Sequence, residues 1–186
     1  MSKRLNKDAW LGLGLEALAS EGPEGLTVEA MCKRARKTRG SYYHHFSSAA
    51  DFQKQLLDWW EETYTHALIE KIEKLGHHSE KLDHLNQLAA HLDPRIEQAV
   101  RRLGARSDEA ALTCHAVDKA RIGYLVRLYE QCPRYSADEA QMLARIEYAA
   151  WVGFQVIEPD AKPQEMLDMY EMFLRLTGRA SISRCM

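Results

Sequence analysis

The chain of 186 residues lacks the features that mark a membrane-spanning or secreted protein. It has no apolar run approaching the length of a membrane span, and its first residues, MSKRLNKD, lead into no apolar signal-like core. Its four cysteines show no CxxC spacing, so reduced and buried thiols are expected instead of a disulfide framework. These absences predict a soluble, cytoplasmic protein with no membrane partner.

Motifs of catalysis are missing as well. The sequence contains no Gly-rich phosphate loop after a strand, no GxSxG elbow and no paired carboxylates in an apolar setting. Cys114 and His115 are neighbours on a predicted helix, where their side chains point about 100° apart, so a core pair is favoured over a nucleophile with its base. Four histidines could suggest a metal site, but no cluster of Cys or carboxylate accompanies them at ligand spacing: His77, His78, His84 and His91. The sequence therefore predicts no enzyme, no cofactor and no metal.

Helical periodicity runs from end to end of the chain. Only five prolines and no low-complexity segment argue against disorder, and no alternation typical of a strand is present. Apolar residues recur at helical spacing in about nine segments. The predicted ranges are 7–21, 28–35, 39–44, 48–75, 80–92, 96–104, 107–131, 137–158 and 163–177. The predicted fold class is all-α.

The stretch from Gly25 to Phe52 reads as two short helices joined by a tight turn. Thr27 and Thr38 are good N-caps for them. Between Lys33 and His45 the chain has five cationic side chains, two histidines and no carboxylate. Residues 1–50 hold eight Lys and Arg against five Asp and Glu, whereas the remainder holds seventeen against twenty-two. Cations attract DNA phosphates, although a charge run of this kind also occurs on ordinary solvated hairpins.

The segment KTRGSYYHHFSSAADF resembles the recognition-helix signature of the tetracycline-repressor (TetR) family of bacterial regulators. That signature is a hydroxyl N-cap, a basic residue, Gly, a hydroxyl residue, an apolar residue, Tyr, a variable residue, His and Phe. The resemblance covers about the first third of the chain. It implies a three-helix, helix-turn-helix DNA-binding domain in residues 1–50 and a helical effector-binding and dimerisation bundle in 51–186. The implied DNA-binding residues are Thr27, Lys37, Thr38, Arg39, Gly40, Ser41, Tyr42, Tyr43 and His44.

Three positions depart from the family pattern. Arg36 stands where the turn often has Gly, so it is expected to adopt a left-handed conformation. Tyr42 replaces the more usual Leu or Ile, and either a base contact or a core position fits it. Ala49 stands where a Lys commonly follows the Phe, so no phosphate contact is assigned to it. Lys3 and Arg4 form a basic arm that can reach DNA or remain a solvated terminus.

The predicted helix 48–75 is apolar on two sides, which makes it the mechanical link between the two domains. In the family the equivalent helix transmits effector binding by a pendulum-like shift. Aromatic side chains of the second domain can line an apolar pocket between helices, although ordinary core packing explains any one of them. The effector is expected to be an unidentified small molecule, apolar or aromatic. The candidate pocket residues are Trp59, Trp60, Tyr64, His115, Tyr124, Tyr148 and Trp151.

The last two predicted helices are apolar on more than one side, so they bury more than one side. They can complete the core of one chain or form the interface of a homodimer. The resemblance favours the dimer, because TetR regulators pair through a four-helix bundle of their last two long helices. A two-fold dimer places two recognition helices about 34–36 Å apart on a palindromic operator. The candidate interface residues are Leu143, Ile146, Ala150, Gly153, Ile157, Met166, Tyr170 and Phe173.

The sequence thus predicts a homodimeric transcriptional repressor. It binds a double-stranded DNA operator and is released from it by an effector. An activator or partner-controlled regulator of the same fold, without a small-molecule pocket, is one alternative. A helical ligand- or metal-binding protein that has lost DNA binding is the other, and Arg36 and Ala49 are the features that favour it.

Overall fold

The computed structural model describes the backbone of residues 5–75 and 78–176, and all their side chains except those of 78–80, 173, 174 and 176. Every regular element in these ranges is a helix, which confirms the all-α prediction. A 3-10 turn, Gly22–Leu26, follows the first α-helix, and a π-helical turn, Glu62–His66, joins the fourth to the fifth. The α-helices are Lys7–Glu21 (α1), Val28–Ala35 (α2), Arg39–Tyr43 (α3), Ala49–Glu61 (α4), Ala67–Glu73 (α5), His78–Ala90 (α6), Pro94–Gly104 (α7), Asp108–Glu130 (α8), Ala137–Ile157 (α9) and Pro163–Leu176 (α10).

Some features of the sequence analysis fall outside the described part of the chain. They are Lys3, Arg4, His77, Cys185 and the side chains of His78 and Phe173. Within the described part, Cys32, Cys114 and Cys132 are buried free thiols, as predicted. None of the described helices is long and apolar enough to cross a membrane.

Local capping signals position the helix ends close to the predicted ones. The Ser136 hydroxyl accepts from the backbone N–H of Glu139 at 3.3 Å, and the Glu139 carboxylate accepts from the Ser136 N–H at 2.8 Å. This reciprocal pair is the predicted capping box at the start of α9. The backbone and hydroxyl hydrogen bonds from Ser136 lower the pKa of the Glu139 carboxyl. Pro163 begins α10, where its missing N–H costs nothing.

The predicted helix 48–75 is one continuous helical run, but it contains the π-helical turn Glu62–His66 between α4 and α5. Counted as that single run, the described helices match the predicted number. A π turn holds one more residue than an α-turn. The helical periodicity of the sequence did not predict this irregularity.

The chain divides into two compact units that do not coincide with the predicted domains. The first comprises Met1–Thr63 and Arg95–Ala116, and the second comprises Tyr64–Pro94 and Val117–Met186. Helix α4 is part of the same unit as the helices before it, and it packs closely against α1 at Gly14. A Cβ atom at Gly14 would lie 2.7 Å from Phe52 Cζ and 3.0 Å from Leu56 Cδ1, so the glycine leaves room for this close crossing. The functional division at residue 50 stays a prediction.

The second unit has its own apolar core. Ile72 of α5 and Leu82 of α6 pack with one face of α8 and one face of α9. Partly buried side chains, among them Leu143 and Val152 of α9, cover this core. The buried residues from the two long helices are Tyr124, Leu125, Leu128, Tyr129, Ala140, Ala144 and Tyr148.

Arg36 follows α2 in the left-handed conformation, with φ 52° and ψ 45°, which confirms the prediction made from the missing glycine. The Lys37 N–H donates to the Cys32 carbonyl at 3.0 Å and the Arg36 N–H to the Lys33 carbonyl at 3.2 Å. These two bonds form a Schellman motif, which satisfies the last carbonyls of α2 and turns the chain toward α3.

We expect Arg36→Gly to stabilise the protein by about 0.5–1 kcal/mol, because a side chain in this conformation costs about 1–2 kcal/mol and glycine returns part of that as backbone entropy. Urea unfolding with an unchanged slope measures the gain. Arg36→Ala is the matched control, since it removes the same charge and keeps the strain. Equal stabilities for the glycine and alanine variants would show that the conformation is not strained.

Candidate DNA-binding surface

Helix α3 spans only five residues, Arg39–Tyr43, and a helix this short is not stable alone in water. The Thr38 hydroxyl caps it by accepting from the Ser41 N–H at 3.3 Å. The Thr38 carbonyl also accepts from the N–H groups of Ser41 and Tyr42, at 3.0 and 3.2 Å. Thr27 caps α2 in the same way through the Ala30 N–H. Both predicted N-caps are therefore confirmed.

Tyr42 holds α3 in place from beneath. Its side chain is fully buried, and its ring centroid lies 5.6 Å from that of Trp10 in α1, 5.5 Å from that of Phe52 in α4 and 5.2 Å from that of Phe46. Burial raises the pKa of its phenol well above the ordinary value. The predicted base contact is thus wrong for Tyr42, and the core position that the sequence left open is correct.

The opposite side of α3 faces solvent. Tyr43 is 53% exposed, and the Arg39 side chain is 71% exposed. Ser41 and Lys37 are half-buried beside them. We call the exposed set the α3 surface, and its members are Lys33, Arg36, Thr38, Arg39, Gly40, Tyr43 and His44. It contains no carboxylate, so its charge is positive.

One of the five cations of this stretch, Arg34, makes contacts between two helices of the protein. Arg34 contacts Glu21 of α1, with Nη2 2.5 Å from Oε1, and it also donates to the Ser20 hydroxyl at 2.8 Å. It therefore joins α2 to α1. Arg39 approaches Glu29 at 3.9 Å, but both side chains are largely exposed, and such pairs contribute little. The Arg39 guanidinium thus remains accessible to another anion.

The segment after α3 is fixed by several hydrogen bonds. The Asp51 carboxylate accepts from the Ser47 N–H at 2.7 Å, while the Ser48 hydroxyl accepts from the Asp51 N–H at 3.0 Å. Hydrogen bonds from Gln55 and Ser47 lower the pKa of the Asp51 carboxyl. His45 Nε2 donates to the Leu5 carbonyl at 3.2 Å, which ties the chain just before α1 to the end of α3.

The predicted pocket residues fall into both units. In the first unit Trp60 is fully buried, Trp59 is half-buried and His115 is exposed. The assignment of His115 to a ligand pocket stays a prediction. In the second unit Tyr124 and Tyr148 are buried.

Tyr64 and Trp151 of the second unit are half-buried, and the Trp151 ring packs edge-on against Tyr170 at 5.9 Å. A surface depression of about 310 Å³ lies near the end of α9 and contains none of the seven predicted residues. That the seven residues line one site stays a prediction.

Sequence reasoning missed a polar network around Arg121 in the second unit. Its guanidinium donates to the Thr65 hydroxyl, the Tyr64 carbonyl and the Tyr148 hydroxyl. A signal for it was present: Arg121 stands four residues after Val117 and three before Tyr124, so it shares a helix side with two apolar residues. Glu147 was missed as well. It is buried on α9 and accepts a hydrogen bond from the Tyr170 hydroxyl.

The predicted dimer residues divide into core and surface. Met166 and Tyr170 are 5% and 3% exposed, so their assignment to an interface is wrong, because both complete the second unit. Leu143 packs against the core of the same unit. Ile146 and Ile157 are 50% and 73% exposed.

Several apolar residues of α9 form a stripe that contains Ile146 and Gly153 of the predicted interface residues. Met142, Ile146 and Val156 are 59%, 50% and 59% exposed, and a Cβ atom at Gly153 would meet nothing within 4 Å. With the exposed Ala149 they recur every three or four residues along one side of the helix. We call this set the α9 stripe: Met142, Ile146, Ala149, Gly153 and Val156.

The fold is that of the TetR-like transcriptional regulators. A transcriptional regulator from Rhodococcus sp. Rha1 superposes with a TM-score of 0.75 at 18% identity, over 96% of this chain and 100% of that one. The regulatory protein TetR from Rhodobacter sphaeroides superposes with a TM-score of 0.70 at 22% identity, over 94% and 98%. The regulator AibR, solved with isovaleryl coenzyme A and operator DNA, gives 0.65 at 15% identity, over 89% and 96%.

In sequence the chain is similar to the transcriptional regulator AcuR of Cereibacter sphaeroides. The two are 26% identical over 185 residues, which cover 92% of this chain and 83% of the relative. No family model matches the chain. The resemblance to TetR regulators seen in the first third of the sequence thus extends, as a common fold, through the described helices of both units.

Proposed function

We propose that the protein is a TetR-family transcriptional regulator, acting as a homodimeric repressor on a palindromic operator. The observation that carries the proposal is the α3 surface. A five-residue helix is held out by a buried tyrosine beneath it, while Thr38, Arg39, Tyr43 and His44 face solvent. This is the arrangement in which a helix-turn-helix protein inserts its second helix into the major groove.

The positions of the side chains support separate roles for them. Arg39, Thr38 and His44 stand on the exposed side of α3 as base-reading groups, and Ser41 lies half-buried at its edge. Arginine reads guanine through two parallel hydrogen bonds, which suits it to specificity. The residues that we propose for phosphate contacts are Thr27, Lys37 and Tyr43. Gly40 has no side chain, so the backbone of α3 can approach the DNA closely there.

The test is a binding titration on the DNA upstream of the protein's own gene, repeated at several salt concentrations. Lys37→Ala is expected to weaken binding to all sequences alike and to reduce the salt slope by about one, whereas Arg39→Ala is expected to cost about 1–3 kcal/mol and to relax sequence preference. Lys54→Ala is the matched control, because it removes an exposed cation of α4 that pairs with Asp58. A Lys37→Ala protein with altered specificity and an unchanged salt slope would refute these roles.

The conformation of the turn before α3 weakens one argument for the alternative, a protein that has lost DNA binding. Arg36 was a reason to doubt this turn, yet it adopts the left-handed conformation and the Schellman hydrogen bonds form around it. Helix α3 keeps its cap and its support. The missing lysine at Ala49 removes one flanking contact and leaves the α3 surface intact.

The homodimer that we propose pairs α9 stripes of two copies. Scattered apolar side chains are normal on a surface, but a contiguous stripe along a long helix marks an interaction site. Ala149 and Gly153 in its centre permit close approach of a second helix, and the larger Met142, Ile146 and Val156 flank them. The dimer supplies the two linked half-site contacts that a palindrome requires.

The effector in our proposal is a small molecule with an apolar part, bound in the second unit. The AibR structure contains both operator DNA and an acyl coenzyme A, so a protein of this fold combines the two kinds of ligand. Effector binding then shifts the helical run that begins with α4 and moves the recognition helices away from operator spacing. A ligand achieves this only to the extent that it binds the two states with different affinity.

A further inference from the structure

The π-helical turn Glu62–His66 lies where the chain passes from the first unit to the second, between Thr63 and Tyr64. Helix α8 makes the same passage between Ala116 and Val117. Within a few residues of these two passages, one side chain of α8, that of Arg121, contacts the π turn. Single π turns inside α-helices occur frequently at functional sites.

Three hydrogen bonds of Arg121 reach the π turn and α9. Its Nε donates to Thr65 Oγ1 at 3.0 Å, and its Nη2 donates to the Tyr64 carbonyl oxygen at 3.3 Å. Its Nη1 reaches the Tyr148 hydroxyl at 3.4 Å. That hydroxyl donates in turn to Asp118 Oδ1 at 2.7 Å. Two of the three acceptors therefore belong to the π turn itself, and the third joins α8 to α9.

The network gives the turn hydrogen bonds that an α-helix would not need. Thr65 is 1% exposed, so its hydroxyl depends on protein groups for hydrogen bonding. The Tyr64 carbonyl accepts from a charged donor, and such hydrogen bonds are stronger than neutral ones. The planar guanidinium supplies both donors from one rigid group, which lysine cannot do. Without these bonds we expect the commoner α-helical register to compete with the π register in the turn.

We propose that Arg121 is a positioning residue that holds residues 62–66 in the π register, and that this register sets the operator affinity. Conversion to the α register removes one residue from the turn, and one residue of an α-helix corresponds to a rotation of about 100° about its axis. Whatever draws Arg121 away from Tyr64 and Thr65 then acts on the helix that leads to the DNA-binding helices. The effect on operator affinity rests on the proposed function, whereas the role of Arg121 in holding the π register does not.

The first test is hydrogen exchange of the full-length protein, read by mass spectrometry in the segment 62–69. Arg121→Met keeps the long stem and removes the donors, so the turn passes between the π and α registers and breaks backbone hydrogen bonds each time. Exchange there is expected to rise by about tenfold while the core of the second unit stays protected. Arg121→Lys is expected to raise exchange in the same way, because a lysine ammonium cannot replace the two donors of the planar guanidinium. Lys119→Met, an exposed cation two residues away on α8, is the matched control and leaves exchange unchanged.

The second test is operator binding by the same variants. Arg121→Met is expected to bind about tenfold more weakly with an unchanged salt slope, because no phosphate contact is lost. Unaltered exchange at 62–69 overturns the inference, as does an increase spread over the whole second unit, which marks a merely structural role. If the parent protein binds no operator while exchange at 62–69 responds as expected, the proposed function fails and the role of Arg121 in the register stands.

Discussion

Tyr42→Ala is expected to destabilise the protein by about 3–5 kcal/mol, the range found when a large buried aromatic side chain is truncated. Tyr42 is fully buried among the rings of Trp10, Phe46 and Phe52, so its removal leaves a cavity shared by α1, α3 and α4. Helix α3 has no stability of its own with which to survive that loss. Urea unfolding, followed by tryptophan fluorescence, measures the change.

Tyr42→Phe is the control for this prediction. The Tyr42 hydroxyl is buried and has no hydrogen-bond partner among the described residues, so its removal is expected to leave the protein as stable or slightly more stable. Operator binding by the phenylalanine variant should equal that of the parent. A large loss of DNA affinity in Tyr42→Phe, with stability preserved, would show that the hydroxyl reaches DNA after all and would restore the base contact.

Ile146→Asp is expected to convert the dimer to a monomer and to reduce operator affinity by about 100-fold or more. Ile146 stands in the α9 stripe and is half-exposed, so an aspartate there is tolerated by one chain but is buried without a partner between two. The affinity falls because the second half-site contact is no longer linked to the first, and linkage of this kind contributes about 10²–10⁴-fold. Sedimentation analysis and the binding titration measure the two effects separately.

The control for this variant is Leu112→Asp. Leu112 is 71% exposed on α8, so the same substitution places the same charge on an apolar surface position outside the α9 stripe. We expect this protein to remain a dimer and to bind DNA like the parent. An Ile146→Asp protein that sediments as a dimer at micromolar concentration would rule out the α9 stripe as the interface.

The parts of the fold that were predictable from sequence are those that local chemistry determines. An N-cap is a local interaction, because the hydroxyl accepts from the backbone N–H three residues later, and Thr27, Thr38 and Ser136 cap their helices in the structure as predicted. The left-handed conformation of Arg36, predicted from the glycine that the family pattern often has there, is likewise a local property of the turn. The helix boundaries are therefore close to the predicted ones, and the position of the α3 surface along the chain follows from its caps and charges.

The errors concern which face of a helix meets which neighbour. Periodicity shows that α10 has apolar faces, but it does not distinguish a face that completes its own unit from one that meets a second copy. Met166 and Tyr170 proved to be of the first kind. The same ambiguity applied to Tyr42, whose ring suits a base contact and a core position equally well. Only the three-dimensional packing decides between them.

The π turn was not predicted from the sequence for another reason. Its stability depends on Arg121, which is 56 residues away from Thr65 along the chain, so no local pattern announces it. A charged residue on the buried side of α8 was the available signal. Such a residue has to find partners, and the backbone of an irregular turn offers acceptors that a regular helix has already used.

The glycine crossing of α1 and α4 determines how the N-terminal helices can move. At Gly14 the backbone of α1 lies directly against the ring of Phe52, and no flexible side chain separates them. Because protein interiors are close-packed, we expect a displacement of the start of α4 to move α1 with it. Tyr42 contacts Trp10 of α1 and Phe52 of α4, so we expect α3 to follow the same movement.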